Sequence, residues 1–214
     1  MDMILRKIEE AGIIPVVVMK EIENAHMLGK TLVENGLACA EITFRTEIAA
    51  DVIRIMKDAF PEMLLGAGTV LTTNQVDSAM DAGASFVVSP GLNPEIVKYC
   101  QSKKILMIPG IATPGELEMA WNLGLRVVKF FPAELSGGLA MIQAMAAAYT
   151  DMRFMPTGGI SPTNIISYLR DEHILACGGS WMVKENMIEA GDFEEIGRLS
   201  KEAVVMVKNG REKS

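Results

Sequence analysis

Residues 64–88 carry the reading that decides the fold. Leu64-Leu65-Gly66-Ala67 is a short, wholly apolar run, the pattern of a parallel strand buried on both faces. Thr72-Thr73-Asn74-Gln75 then places a capping Thr three residues before a Gln, a capping box that starts a helix. Ala82-Gly83 offers the left-handed exit a helix needs, and Phe86-Val87-Val88 is the next apolar strand.

Outward from this unit the same alternation recurs. Strands are expected at 13–18, 40–43, 64–67, 86–88, 105–108, 125–130, 153–155 and 174–177, with amphipathic helical patterns between them. Ile22, Ala25, Leu28 and Leu32 share one helix face; Val52, Ile53, Met56 and Phe60 share another. Thr113-Pro114-Gly115-Glu116 reads as a full capping box with Pro at the first helical position, and Asn93-Pro94 and Ser161-Pro162 repeat the cap-then-Pro start. Asn35-Gly36 and Leu123-Gly124 are further exits. Eight strand–helix units without a linker or low-complexity segment predict an α/β fold. The expectation is one single-domain (β/α)8 TIM barrel over 1–214, with a short N-terminal helix near 3–10 and another short helix near 184–188. An open doubly wound sheet is the alternative, but it usually shows a Gly-rich fingerprint after its first strand, where this chain has Met19-Lys20-Glu21.

Composition narrows the function classes. Half of the 214 residues are apolar, which excludes disorder. Twenty basic against 27 acidic residues give a net charge of −7, with no basic block beyond pairs such as Lys103-Lys104, so nucleic acid and anionic membrane are excluded as partners. Cys39, Cys100 and Cys177 form no CxxC pair and no disulfide framework. The first ten residues have no signal-peptide core, and the longest apolar candidate, 138–149, is too short for a membrane span and contains Gln143, so the chain is expected to be cytoplasmic.

In a barrel the chemistry sits at the C-terminal ends of the strands. There, Lys129 interrupts the apolar run Arg126-Val127-Val128-Lys129-Phe130-Phe131-Pro132. It is either a strand-end lysine reaching solvent or a Schiff-base nucleophile, since burial disfavours a charged ammonium and only the free amine attacks a ketone. Glu41, in Cys39-Ala40-Glu41-Ile42-Thr43, is either a structural ion-pair partner of Arg45 or Lys129 or a general base sharing the lysine's cavity. Arg45 offers a planar fork for a carboxylate, or is a surface arginine opposite Glu47. Thr69 and Ser89 are further polar residues after strands. Thr157-Gly158-Gly159-Ile160 and Cys177-Gly178-Gly179-Ser180 follow the last two expected strands, where barrels often hold phosphate on backbone N–H groups. Only His26 and His173 are present, both placed away from these ends, which removes His-based triads and His-rich metal sites.

With these residues in place the sequence resembles the 2-keto-3-deoxy-6-phosphogluconate (KDPG) and 2-keto-4-hydroxyglutarate (KHG) aldolase family. The resemblance is carried in order by Gly12-Ile13-Ile14-Pro15-Val16-Val17, Glu41-Ile42-Thr43-Phe44-Arg45-Thr46, Gly66-Ala67-Gly68-Thr69-Val70, Ser89-Pro90-Gly91, Ile108-Pro109-Gly110, Val128-Lys129-Phe130-Phe131-Pro132-Ala133-Glu134, Pro156-Thr157-Gly158-Gly159-Ile160 and Gly178-Gly179-Ser180-Trp181. It implies a class I aldolase acting on a phosphorylated 2-keto acid, a homotrimer, and no metal or other cofactor. By position it makes Lys129 the Schiff-base lysine and Glu41 the general acid/base. Arg45 and Thr69 become the grip on the pyruvyl carboxylate, Phe131 a pocket wall, Thr157 the residue tuning stereochemistry at C4, and Gly158, Gly159, Gly179 and Ser180 the phosphate end. Phe44 and Ala112 stand where relatives often carry Leu and Ser. Two other readings stay open: a different phosphate-binding barrel isomerase or synthase, and a non-catalytic sugar-acid-binding barrel.

Overall fold

The computed structural model describes residues 2–212. Its strands are β1 (Ile13–Val17), β2 (Cys39–Thr43), β3 (Leu64–Gly68), β4 (Phe86–Val88), β5 (Met107–Ile108), β6 (Gly110–Ile111), β7 (Val127–Phe130), β8 (Arg153–Pro156) and β9 (Cys177–Gly179). All pair in parallel, in a six-stranded sheet of order β5-β4-β3-β2-β1-β9 and a three-stranded sheet of order β6-β7-β8. The expected fifth strand, 105–108, is shortened to β5, and a second piece, β6, continues its course beyond Pro109. Pro109 divides the two, because proline has no N–H to give to the ladder; its carbonyl still accepts from the Lys129 N–H at 2.9 Å. Between β8 and β9 only the single bridges Phe154–Ile174 and Thr157–Gly178 form.

Helices α1 (Asp2–Ala11), α2 (Ala25–Glu34), α3 (Ala49–Ala59), α4 (Thr73–Asp81), α5 (Pro94–Ser102), α6 (Pro114–Asn122), α7 (Gly138–Ala146), α8 (Ile165–Leu169), α9 (Glu185–Glu189) and α10 (Phe193–Arg211) complete an α/β fold with a curled parallel sheet. They pack on the strands through faces the sequence marks: Leu28 and Leu32 of α2, and Val52, Ile53 and Met56 of α3, are fully buried. Each such side chain contributes roughly 1.5–3 kcal/mol. At the start of α6, Thr113 accepts the Glu116 N–H at 3.3 Å, while Glu116 Oε2 accepts the N–H groups of Ala112 and Thr113 at 2.8 and 2.9 Å. Those donors, led by the Ala112 N–H, hold the Glu116 carboxyl below its usual range. The cap on α4 differs from the expected box: Thr72 accepts the Gln75 N–H, but the Gln75 side chain takes the N–H of Leu71.

Two further expectations shift. The last strand begins at Cys177 rather than 174, so Gly178 and Gly179 are buried strand residues and not a loop. A Cβ at Gly178 would lie 2.3 Å from Thr157 Oγ1, and one at Gly179 2.3 Å from the Trp181 ring, so bare backbone is needed for this close approach. Ser161-Pro162 does not cap α8. The Ser161 carbonyl instead accepts the Asn164 and Ile165 N–H groups, making a separate turn, and α8 starts three residues past Pro162 at Ile165.

No helix among the described residues is long and apolar enough to cross a membrane.

Candidate active site

Strand pleating sends successive side chains to opposite faces. Along β7, Val128 and Phe130 are fully buried, and Lys129 between them crosses to β2, where its Nζ lies 3.1 Å from Glu41 Oε1. The contact joins the two sheets, across 88 residues of chain. Lys129 is 5% exposed and Glu41 0%, and they are the only charged residues buried among those described. Glu41 Oε2 has no hydrogen-bond partner among the described residues, which leaves one carboxylate oxygen free. The Phe131 ring lies 5.5 Å from Lys129 Nζ.

Room for Glu41 comes from β3. A Cβ on Gly68 would fall 2.2 Å from Glu41 Oε1, so the carboxylate occupies the volume that glycine leaves. The next residue, Thr69, takes φ +55°, a left-handed conformation unusual for a β-branched side chain. Such strain persists where the surroundings impose it, and it clusters at functional sites.

Beside the pair opens a cavity of about 600 Å³ lined by Arg45, Phe131, Thr157, Gly158, Gly159, Gly179 and Ser180, among others. Of the predicted site residues, these seven are brought together on its walls; Glu41, Lys129 and Thr69 are not among the lining residues, and Phe131, which is, links the cavity to the pair through its ring beside Lys129 Nζ. Arg45 is exposed, in the turn after β2, and makes no salt bridge among the described residues. The N–H groups of Gly158, Gly159 and Ile160 donate no hydrogen bond within the described residues, whereas the carbonyls of Thr157, Gly158 and Gly159 all accept one. Three consecutive unpaired donors among the lining residues are chemically suited to hold an anion. Ser89 turns away, its hydroxyl donating to the Gly91 carbonyl at 2.6 Å. Neither histidine lines this cavity: His26 packs against Phe60, and His173 sits beside Asp171.

Sequence reasoning missed Lys20, Lys184 and Asn186, which also line the cavity. Lys20, just past β1, is held by Glu185 at 2.5 Å and Glu189 at 3.3 Å, and these carboxylates raise its pKa. Its place just past a strand end was the available signal.

Comparison with known proteins gives the arrangement its context. A family model described as KDPG and KHG aldolase matches residues 4–199. A 2-dehydro-3-deoxy-phosphogluconate aldolase of Haemophilus influenzae is 47% identical over 205 residues, covering 96% of this chain and 97% of that one. Among solved structures, the KDPG aldolase of Legionella pneumophila with pyruvate captured as a covalent carbinolamine superposes with a TM-score of 0.89 at 35% identity, over 92% of this chain and 96% of that one. The Zymomonas mobilis enzyme with 3-phosphoglycerate gives 0.87 at 38% identity, over 94% and 95%. With nearly full-length agreement in sequence and in backbone, around a buried lysine–carboxylate pair, the chain belongs to the KDPG and KHG aldolase family.

Proposed function

We infer that this chain is a class I aldolase that cleaves KDPG to pyruvate and D-glyceraldehyde 3-phosphate, and cleaves KHG to pyruvate and glyoxylate. The observation that carries the reading is the buried Lys129–Glu41 pair at 3.1 Å beside a cavity with an arginine and three free backbone donors. The relatives support it: one is named for this reaction, one holds pyruvate as a carbinolamine, and one binds a phosphorylated three-carbon acid.

The steps follow from the geometry. The Lys129 ammonium passes a proton to Glu41, and the free amine attacks the C2 ketone. The resulting carbinolamine loses its hydroxyl as water, taking up that proton, and leaves a protonated Schiff base. Glu41, again a carboxylate, accepts the C4 hydroxyl proton; its free Oε2 is suited to this. The C3–C4 electrons move into the Schiff base, the aldehyde departs, and a pyruvate enamine remains. Glu41 returns its proton to the enamine carbon, and water releases pyruvate from Lys129. Arg45 and Thr69 hold the substrate carboxylate, Phe131 walls the pocket, and Thr157 faces C4. Gly158, Gly159, Gly179 and Ser180 take the phosphate. KHG has no phosphate to offer them, so KDPG is the better substrate.

The same reading makes the two sheets parts of one closed (β/α)8 barrel and one domain: β5, Pro109 and β6 count as a single strand, and two bridges join β8 to β9. It also carries a homotrimer, and Leu71 and Leu135, 55% and 90% exposed, are apolar side chains available to an interface.

Borohydride reduction with pyruvate tests the proposal. One reduced pyruvyl adduct per chain, on the peptide containing Lys129 and absent from Lys129→Arg, is expected. An isomerase, a synthase or a binding protein would leave Lys129 unmodified.

A further inference from the structure

Glu134 and Tyr168 have no part in the steps above, and neither lines the cavity. Glu134 begins the short turn Glu134–Ser136 after β7, and Tyr168 lies on α8, 1% exposed. The Tyr168 hydroxyl donates a short hydrogen bond to Glu134 Oε1. Burial first, and the Glu134 contact second, push the Tyr168 phenol well above its ordinary pKa, so it remains a donor.

Glu134 also supports the Gly158-Gly159 loop from behind. Its N–H donates to the Gly158 carbonyl at 3.1 Å, and the Ala133 N–H donates to that of Thr157 at 2.8 Å. A Cβ on Gly159 would lie 2.6 Å from Glu134 Cγ and 2.7 Å from its Cβ, so the glycine rests on this side chain. Asn164 Nδ2 also donates to the Gly159 carbonyl at 3.0 Å. With its carbonyls engaged by these partners, the loop keeps its N–H groups unpaired on residues that line the cavity.

The geometry points to Glu134 and Tyr168 as a positioning pair for phosphate recognition: Tyr168 anchors the Glu134 side chain, and Glu134 sets the Gly158-Gly159 backbone at the angle at which its free N–H groups meet the phosphate. This rests on the aldolase reading above and extends it to two residues outside the cavity. The contribution is one of shape. An amide at 134 keeps an oxygen for the Tyr168 hydroxyl and a side chain under Gly159, whereas Ala at 134 or Phe at 168 loses the strut.

The test measures kcat and KM on KDPG and KHG for the parent, Tyr168→Phe, Glu134→Ala and Glu134→Gln. Inorganic phosphate binding by calorimetry and thermal melting accompany the kinetics. Tyr168→Phe removes one hydroxyl without changing the packed ring, which keeps the test open if Glu134→Ala folds poorly. A misplaced anchoring group costs up to about a hundredfold. Tyr168→Phe and Glu134→Ala should therefore lower kcat/KM on KDPG by roughly ten- to a hundredfold, chiefly through KM, and leave KHG within about twofold. Phosphate affinity should fall in parallel, and Glu134→Gln should restore most of the KDPG rate. Equal losses on both substrates, or an unchanged KDPG rate, would overturn the proposal. If the parent itself fails to trap pyruvate on Lys129, the aldolase reading falls; the calorimetry then still decides whether the strut shapes an anion site.

Discussion

Lys129 Nζ and Glu41 Oε1 lie 3.1 Å apart in the interior and join two sheets that share no paired strand segment. A buried ion pair of this kind is weak as a source of stability and severe when broken, because one partner's removal leaves a charge in low dielectric. We expect Lys129→Met to lose about 3–5 kcal/mol in denaturant unfolding, and the double variant Lys129→Met/Glu41→Leu to recover most of it while remaining inactive. A double variant no more stable than the single would show that the pair holds the fold together and is not kept for chemistry.

Glu41→Gln keeps the shape and removes the base. Cleavage and exchange of the pyruvate methyl protons should fall by roughly two to four powers of ten, while borohydride trapping of pyruvate survives better than turnover. Exchange followed by proton NMR in deuterated buffer is the measurement, and near-parental exchange would remove Glu41 from the proton transfers.

Arg45 and Thr69 are read through pyruvate affinity. Arg45→Ala removes a charge-assisted contact and should weaken binding by roughly 1.5–3 kcal/mol; Thr69→Val should cost on the order of 1 kcal/mol. If both variants bind pyruvate like the parent, the carboxylate lies elsewhere.

Gly68→Ala should act on catalysis through Glu41. The new methyl would stand 2.2 Å from Oε1 and 2.6 Å from Cγ, so the carboxylate must move away from Lys129. A drop in kcat of about two powers of ten is expected. Gly115→Ala is the control, since a Cβ there meets nothing within 4 Å and lies in α6. Equal activities for the two variants would mean that the carboxylate relocates without cost.

The three thiols set an alkaline limit. Burial pushes Cys39 and Cys177 up to about 12 and Cys100 up to about 11, from an ordinary 9.0. Above pH 9 the unfolded chain sheds these protons while the folded chain keeps them, so stability falls as pH rises from 9 toward 11–12, by up to roughly 1.4 kcal/mol per pH unit for each thiol. Melting temperature should decline across that window, less steeply in Cys39→Ala, and the native chain should resist alkylation at pH 8.5. Rapid labelling of native Cys39 would contradict its burial.

The sequence by itself determined the strand–helix alternation, most caps, and the candidate reacting residues, because these are local: an apolar run, a Thr-Pro start or a lone lysine among valines is legible within a few neighbours. It placed Glu41 and Lys129 at strand ends but left open whether Glu41 met Lys129 or Arg45, since a contact 88 residues apart depends on how the sheet curls. Only the tertiary structure decided that pairing, in the space left by Gly68. It also decided that Gly178 and Gly179 belong to a strand, where packing against Thr157 and Trp181 outweighs glycine's low strand propensity. The Lys20–Glu185–Glu189 cluster and the Tyr168–Glu134 strut were equally hidden, because each joins segments remote in the chain and close only after the elements have packed.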